Sequence, residues 1–103
     1  MNDITKARHY LKTRQSDLQH LTSFGLMLAT AEKAYREVKL RQQGHKDKEW
    51  GSLQEKEIEI ALDYAVLRYL KRYNQLPRNI REAFKPGVTL QEKHELAMTW
   101  VSG

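Results

Sequence analysis

Cysteine is absent from this 103-residue chain, which excludes disulfide staples and removes thiolates from any zinc site. Proline occurs twice and glycine five times, too sparse a punctuation for many short strands joined by turns. Long hydrophobic runs are also missing. The longest, FGLMLATA at 24–31, falls far short of the roughly 20 apolar residues that span a bilayer. The first residues, MNDITKARHYLK, carry charge without the apolar stretch of a signal peptide, so a cytoplasmic location with no membrane association is expected. Acids are the minority charge, at 13 against 18 Lys plus Arg, leaving a formal net charge of +5. A pI near 9.6 favours polyanionic partners.

The residues that are present read as helix. Hydrophobic residues make up 40% of the chain, enough to expect folding despite a mean hydropathy of -0.77. Their spacing follows the helical period: Ile4, Ala7 and Leu11 share a stripe, and another runs through Leu21, Phe24, Leu28, Ala31, Tyr35 and Val38. The expectation is an all-α, small single-domain bundle of four or five helices covering residues 1–103, with helices at about 3–15, 17–43, 53–75, 78–85 and 90–101. Whether 3–42 is one rod or two helices stays open. Ser16 with Gln19 reads as a capping box that would divide it, and Arg14 and Gly25 interrupt the seam a long coiled coil would need. Further boxes are Ser52 with Glu55 and Thr89 with Glu92; Leu76-Pro77 stops the third long helix, and Lys85-Pro86-Gly87 is a turn.

The stretch RYLKRYNQLPRNIR, 68–81, holds five cations, two tyrosines and no acid. Part of this is ordinary helix chemistry. Glu55, Glu57, Glu59 and Asp63 precede Arg68, Lys71 and Arg72, an order that complements the helix dipole at about 0.3 to 1 kcal/mol per well-placed charge. The dipole does not account for Arg78, Arg81 and Lys85, which form one stripe opposite Ile80, Ala83 and Phe84. Together Arg68, Lys71, Arg72, Arg78, Arg81 and Lys85 are the candidate anion-binding or nucleic-acid-binding residues. Tyr69 and Tyr73 share the stripe of Ile58, Leu62, Ala65 and Val66 and are expected in the core.

The same helix has a second apolar side, Ile60, Tyr64 and Leu67. It marks either a helix central to its own bundle or a partner-binding strip, with Trp50 and Trp100 as further anchor candidates.

Catalytic and metal chemistry find little support. No HExxH motif, Gly-rich phosphate loop or nucleophile motif occurs. His9 and His20 on one helix would stand about 16 Å apart, too far to share a metal. His45 and His94 read as solvated, as does the acidic stripe Glu55, Glu59, Asp63. A helix-turn-helix reading of Ala83, Gly87, Val88 and Thr89 fails on Pro86 within the turn and Lys93 at a packing position. No cofactor is expected. The leading expectation is a non-enzymatic basic helical protein that binds a macromolecule through the 68–85 patch, most simply nucleic acid. The alternative is a protein-interaction module: an adaptor or inhibitor of a nucleic-acid-processing enzyme, or a homo-oligomer, using the Ile60, Tyr64, Leu67 strip.

Overall fold

The structure, a computed structural model, describes residues 3–43, 55–77, 80, 85 and 87–102. Helix α1 (Asp3–Thr13) starts with an acid in its first turn and buries Ala7, Tyr10 and Leu11. It ends because Gln15 turns left-handed, at φ 55. Ser16 N–H then donates to the Leu11 carbonyl at 3.0 Å and Gln15 N–H to that of Lys12 at 3.1 Å, the paired bonds of a Schellman ending. Glycine is the usual occupant of such a position, so nothing local in the sequence announces the stop.

Ser16 does cap the next element, although that element is a 3-10 turn (Asp17–His20) and not an α-helix. The helix expected over 17–43 is therefore divided, and its α-helical part is α2 (Phe24–Gln43). Ser23 starts α2 by accepting the Leu26 N–H at 3.1 Å. A continuous rod over 3–42 would measure about 60 Å. The longest extent of the molecule is 43 Å, so the chain folds back.

Helix α3 (Glu55–Tyr73) lies at the centre of the packing, touching α1, α2 and α4. Its C-terminus is set by Asn74 at φ 53, whose N–H donates to the Leu70 carbonyl at 2.8 Å. Asparagine tolerates this left-handed geometry better than most side chains. The helix consequently ends ahead of Leu76-Pro77. Pro77 is buried. Gly87 takes φ +90, and Val88 N–H reaches the Lys85 carbonyl at 3.3 Å, a turn that requires the glycine. Thr89 then accepts the Glu92 N–H at 3.1 Å and donates to the Glu92 carboxylate at 3.2 Å, opening α4 (Leu90–Ser102). Of the helix expected over 78–85, Arg78, Arg81, Ala83 and Phe84 lie outside the described residues, as do Ser52 and Trp50.

The core draws on all four described α-helices. Leu11, Met27, Ile58, Leu62, Val66, Leu67 and Leu70 are fully enclosed, each burial stabilising by about 1.5 to 3 kcal/mol before entropy. Because α3 is central, both of its apolar sides are covered by the chain itself. Leu67 is 0% and Tyr64 9% exposed, Tyr64 stacks on Tyr35 of α2 with centroids 5.0 Å apart, and Ile60 packs against the same cluster. Trp100 is also buried, at 8%. Of the strip that could have served a partner, Tyr64 and Leu67 are core and Ile60 is partly buried against them; Trp100 is core as well.

Two charged groups expected at the surface are likewise enclosed. Asp63 is 5% and His94 3% exposed. Asp63 survives inside because Arg14, just past the end of α1, donates to both its oxygens, Nε at 2.7 Å and Nη2 at 2.9 Å, while Ser16 Oγ adds a bond of 3.2 Å. A buried carboxylate requires that degree of satisfaction.

Candidate nucleic-acid interface

Helix α3 segregates its charge along its length, with Glu55 and Glu57 in the first turn and Lys71 and Arg72 in the last. Arg68, Lys71 and Arg72 are all exposed. Their spacing of three and four residues places them on one face, and that face meets α2 in a groove of about 380 Å³ lined by Leu28, Glu32, Tyr64, Arg68, Lys71 and Arg72. The lining residues described include three cations and one carboxylate. That carboxylate, Glu32, is engaged by Arg36 Nη2 at 2.7 Å, one turn along α2. The groove thus presents net positive charge over an apolar floor.

Beneath it lies the Tyr35–Tyr64 stack. Burial pushes the Tyr35 hydroxyl above its ordinary pKa, nearby Tyr64 adds to the rise, and Arg68 opposes it. Lys39 Nζ stands 5.7 Å from the Tyr35 ring centroid, adding a cation further along α2.

The structure brings together Arg68, Lys71 and Arg72 from the expected set. Lys85 is exposed, and Arg78 and Arg81 lie outside the described residues. The expectation that Tyr69 and Tyr73 are core is corrected for both: Tyr69 is only half-buried and Tyr73 is 45% exposed. Past Leu70, residues 71–75 are all exposed, so the apolar stripe runs out into solvent. The Tyr69 and Tyr73 rings meet at 4.5 Å with a 48° tilt, and the Arg72 guanidinium carbon is 5.3 Å from the Tyr73 centroid.

A second hollow of about 380 Å³ opens between α2, α3 and the segment that follows α1, with Arg14, Ser16, Lys56, Glu59 and Asp63 among its walls. Burial raises the Asp63 pKa above the usual carboxylate value, outweighing the pull of Arg14 and Ser16. Burial works against the charge of Arg14, yet its pKa is raised overall because Asp63 attracts and hydrogen-bonds it. With both its oxygens engaged, Asp63 ties the segment that follows α1 to α3. Glu59 reaches Arg14 at only 3.7 Å and is half exposed. Among the described residues no three His, Asp or Glu side chains gather at metal-binding distance, and no helix is long and apolar enough to cross a membrane.

Comparison with protein-family models, with curated proteins and with solved structures found no match for this chain.

Proposed function

We propose that this chain is a non-enzymatic nucleic-acid-binding protein that holds phosphates at the cationic end of α3. The observation that carries this reading is the convergence of Arg68, Lys71 and Arg72 on one groove whose described carboxylate is already engaged by Arg36. Phosphate contacts of this kind supply affinity with little sequence preference. Arg78, Arg81 and Lys85 follow within the next 13 residues and would extend the contact along the strand. The cytoplasm suits such a role.

A protein-partner reading finds less support. Its apolar centre is occupied, since Tyr64, Leu67 and Trp100 are buried and Ile60 packs on the core. An interface without a desolvated apolar centre lacks its usual source of affinity.

The test is binding of labelled oligonucleotides as salt is raised. Neutralising three phosphates predicts a slope of log affinity against log salt of about -2 to -3. Charge reversal at Arg68, Lys71 and Arg72 should flatten that slope. An absence of binding at low ionic strength would sink the proposal.

A further inference from the structure

Two parallel rows run along the last turns of α3. Arg68 and Arg72 form one, Tyr69 and Tyr73 the other, each at i and i+4 and offset by one residue. The rows touch where Arg72 approaches the Tyr73 ring at 5.3 Å. Tyr69, half-buried, roots the aromatic row by contact with Tyr73 at 4.5 Å. Tyr73 leaves 45% of its surface to water.

We infer that the ligand of this surface is single-stranded nucleic acid, with an unpaired base stacked on Tyr73 and the flanking phosphates held by Arg68, Lys71 and Arg72. This rests on the proposed nucleic-acid binding and sharpens it. A duplex keeps its bases inside the stack, so it can use the cationic row and gains nothing from the aromatic one. An unpaired strand can use both. Stacking on an aromatic side chain tolerates any base, because every base has a π-face, which suits a site whose other contacts are to phosphate. Arg72 serves both rows. When a base takes its place over the ring, its guanidinium can turn to the adjoining phosphate, a two-pronged acceptor that suits its geometry.

The experiment compares three labelled ligands on the full chain by fluorescence anisotropy at about 50 mM salt, where phosphate contacts are strong: an oligothymidylate, a hairpin duplex with the same number of phosphates, and an abasic strand of the same length. The expected result is tightest binding to oligothymidylate. Tyr73→Ala should weaken that binding about tenfold, equivalent to ~1.4 kcal/mol and within the range for one stacked base. Tyr73→Phe should retain it, and the abasic strand should bind wild type as weakly as oligothymidylate binds Tyr73→Ala. Equal affinity for hairpin and single strand, or for abasic and normal strands, overturns the inference while leaving nucleic-acid binding intact. Failure of all three ligands to bind removes the underlying reading as well. The abasic comparison uses unaltered protein, so the outcome does not depend on a variant's folding.

Discussion

Arg14 grips Asp63 with two hydrogen bonds, of 2.7 and 2.9 Å, across 49 residues of sequence. Side-chain exposures of 8% and 7% put the pair inside the molecule, where it ties the end of α1 to the middle of α3. Buried pairs of this type add little net stability over apolar replacements. Breaking one is costly, because the surviving charge stays buried alone.

Asp63→Ala should therefore lower unfolding free energy by about 3 to 5 kcal/mol. The double variant Arg14→Met with Asp63→Leu should recover most of the loss. Urea titrations of the single and double variants check both statements. Equal destabilisation in the double variant would show that the pair does more than satisfy its own charges.

His94 provides a pH dependence of defined sign. Burial lowers its pKa from an ordinary value near 6.5. Well above pH ~7 the residue is neutral in folded and unfolded chains alike and contributes no slope. As pH falls through about 6.5, the unfolded chain binds a proton that the folded chain refuses, so stability declines until the lower folded pKa is passed. His94→Gln should flatten this part of the profile, read as the urea midpoint at a series of pH values.

At Gln15 the left-handed φ of 55 carries a conformational penalty of roughly 1 to 2 kcal/mol for a side-chain-bearing residue. Gln15→Gly removes the clash and also loosens the unfolded chain, which offsets part of the gain. A net rise in stability of about 0.5 kcal/mol is expected on those opposing terms, visible as a small upward shift in thermal midpoint.

Cations elsewhere on the molecule provide the control for the proposed interface. Lys12 and Lys33 are exposed on α1 and α2, and neither lines the α2–α3 groove. Reversal of Arg68 and Lys71 to Glu should weaken oligonucleotide binding at least tenfold more than reversal of Lys12 and Lys33, a difference of ~1.4 kcal/mol. Equal losses would mean that overall charge, and not the groove, governs affinity.

The helical class was legible because local spacing encodes it. Ala7 with Leu11, and Ala31 with Tyr35 and Val38, are buried in the stripes their spacing implies. Thr89 and Glu92 likewise form their cap. Ser23 was not legible as a cap because position N3 holds Leu26, without the Glu or Gln that completes a box. Periodicity also could not reveal that Asp63 is buried. Its spacing matches that of a solvated acidic stripe, and the group that changes its environment is remote in sequence. His94 was misplaced for a related reason: the sequence shows the polar neighbours Lys93 and Glu95, whereas α4 turns the histidine inward against α3. For the interface, the row of cations was visible at once. Its groove and the exposure of Tyr73 depend on how α2 and α3 pack, a tertiary fact, whereas Glu32 with Arg36 is an i, i+4 pair that spacing alone could have offered.

Lys6 of α1 donates from Nζ to the Asn74 carbonyl at 3.0 Å. A helix carries a partial negative pole at its C-terminus, and at α3 that pole opposes the anion binding proposed for Arg68, Lys71 and Arg72. By donating to the carbonyl of Asn74, one residue past the last turn of α3, the Lys6 ammonium places a positive charge beside this pole. Under the proposed function, a phosphate approaching Arg68, Lys71 and Arg72 meets a helix tip whose pole is offset by a cation of α1, so Lys6→Ala should weaken its capture.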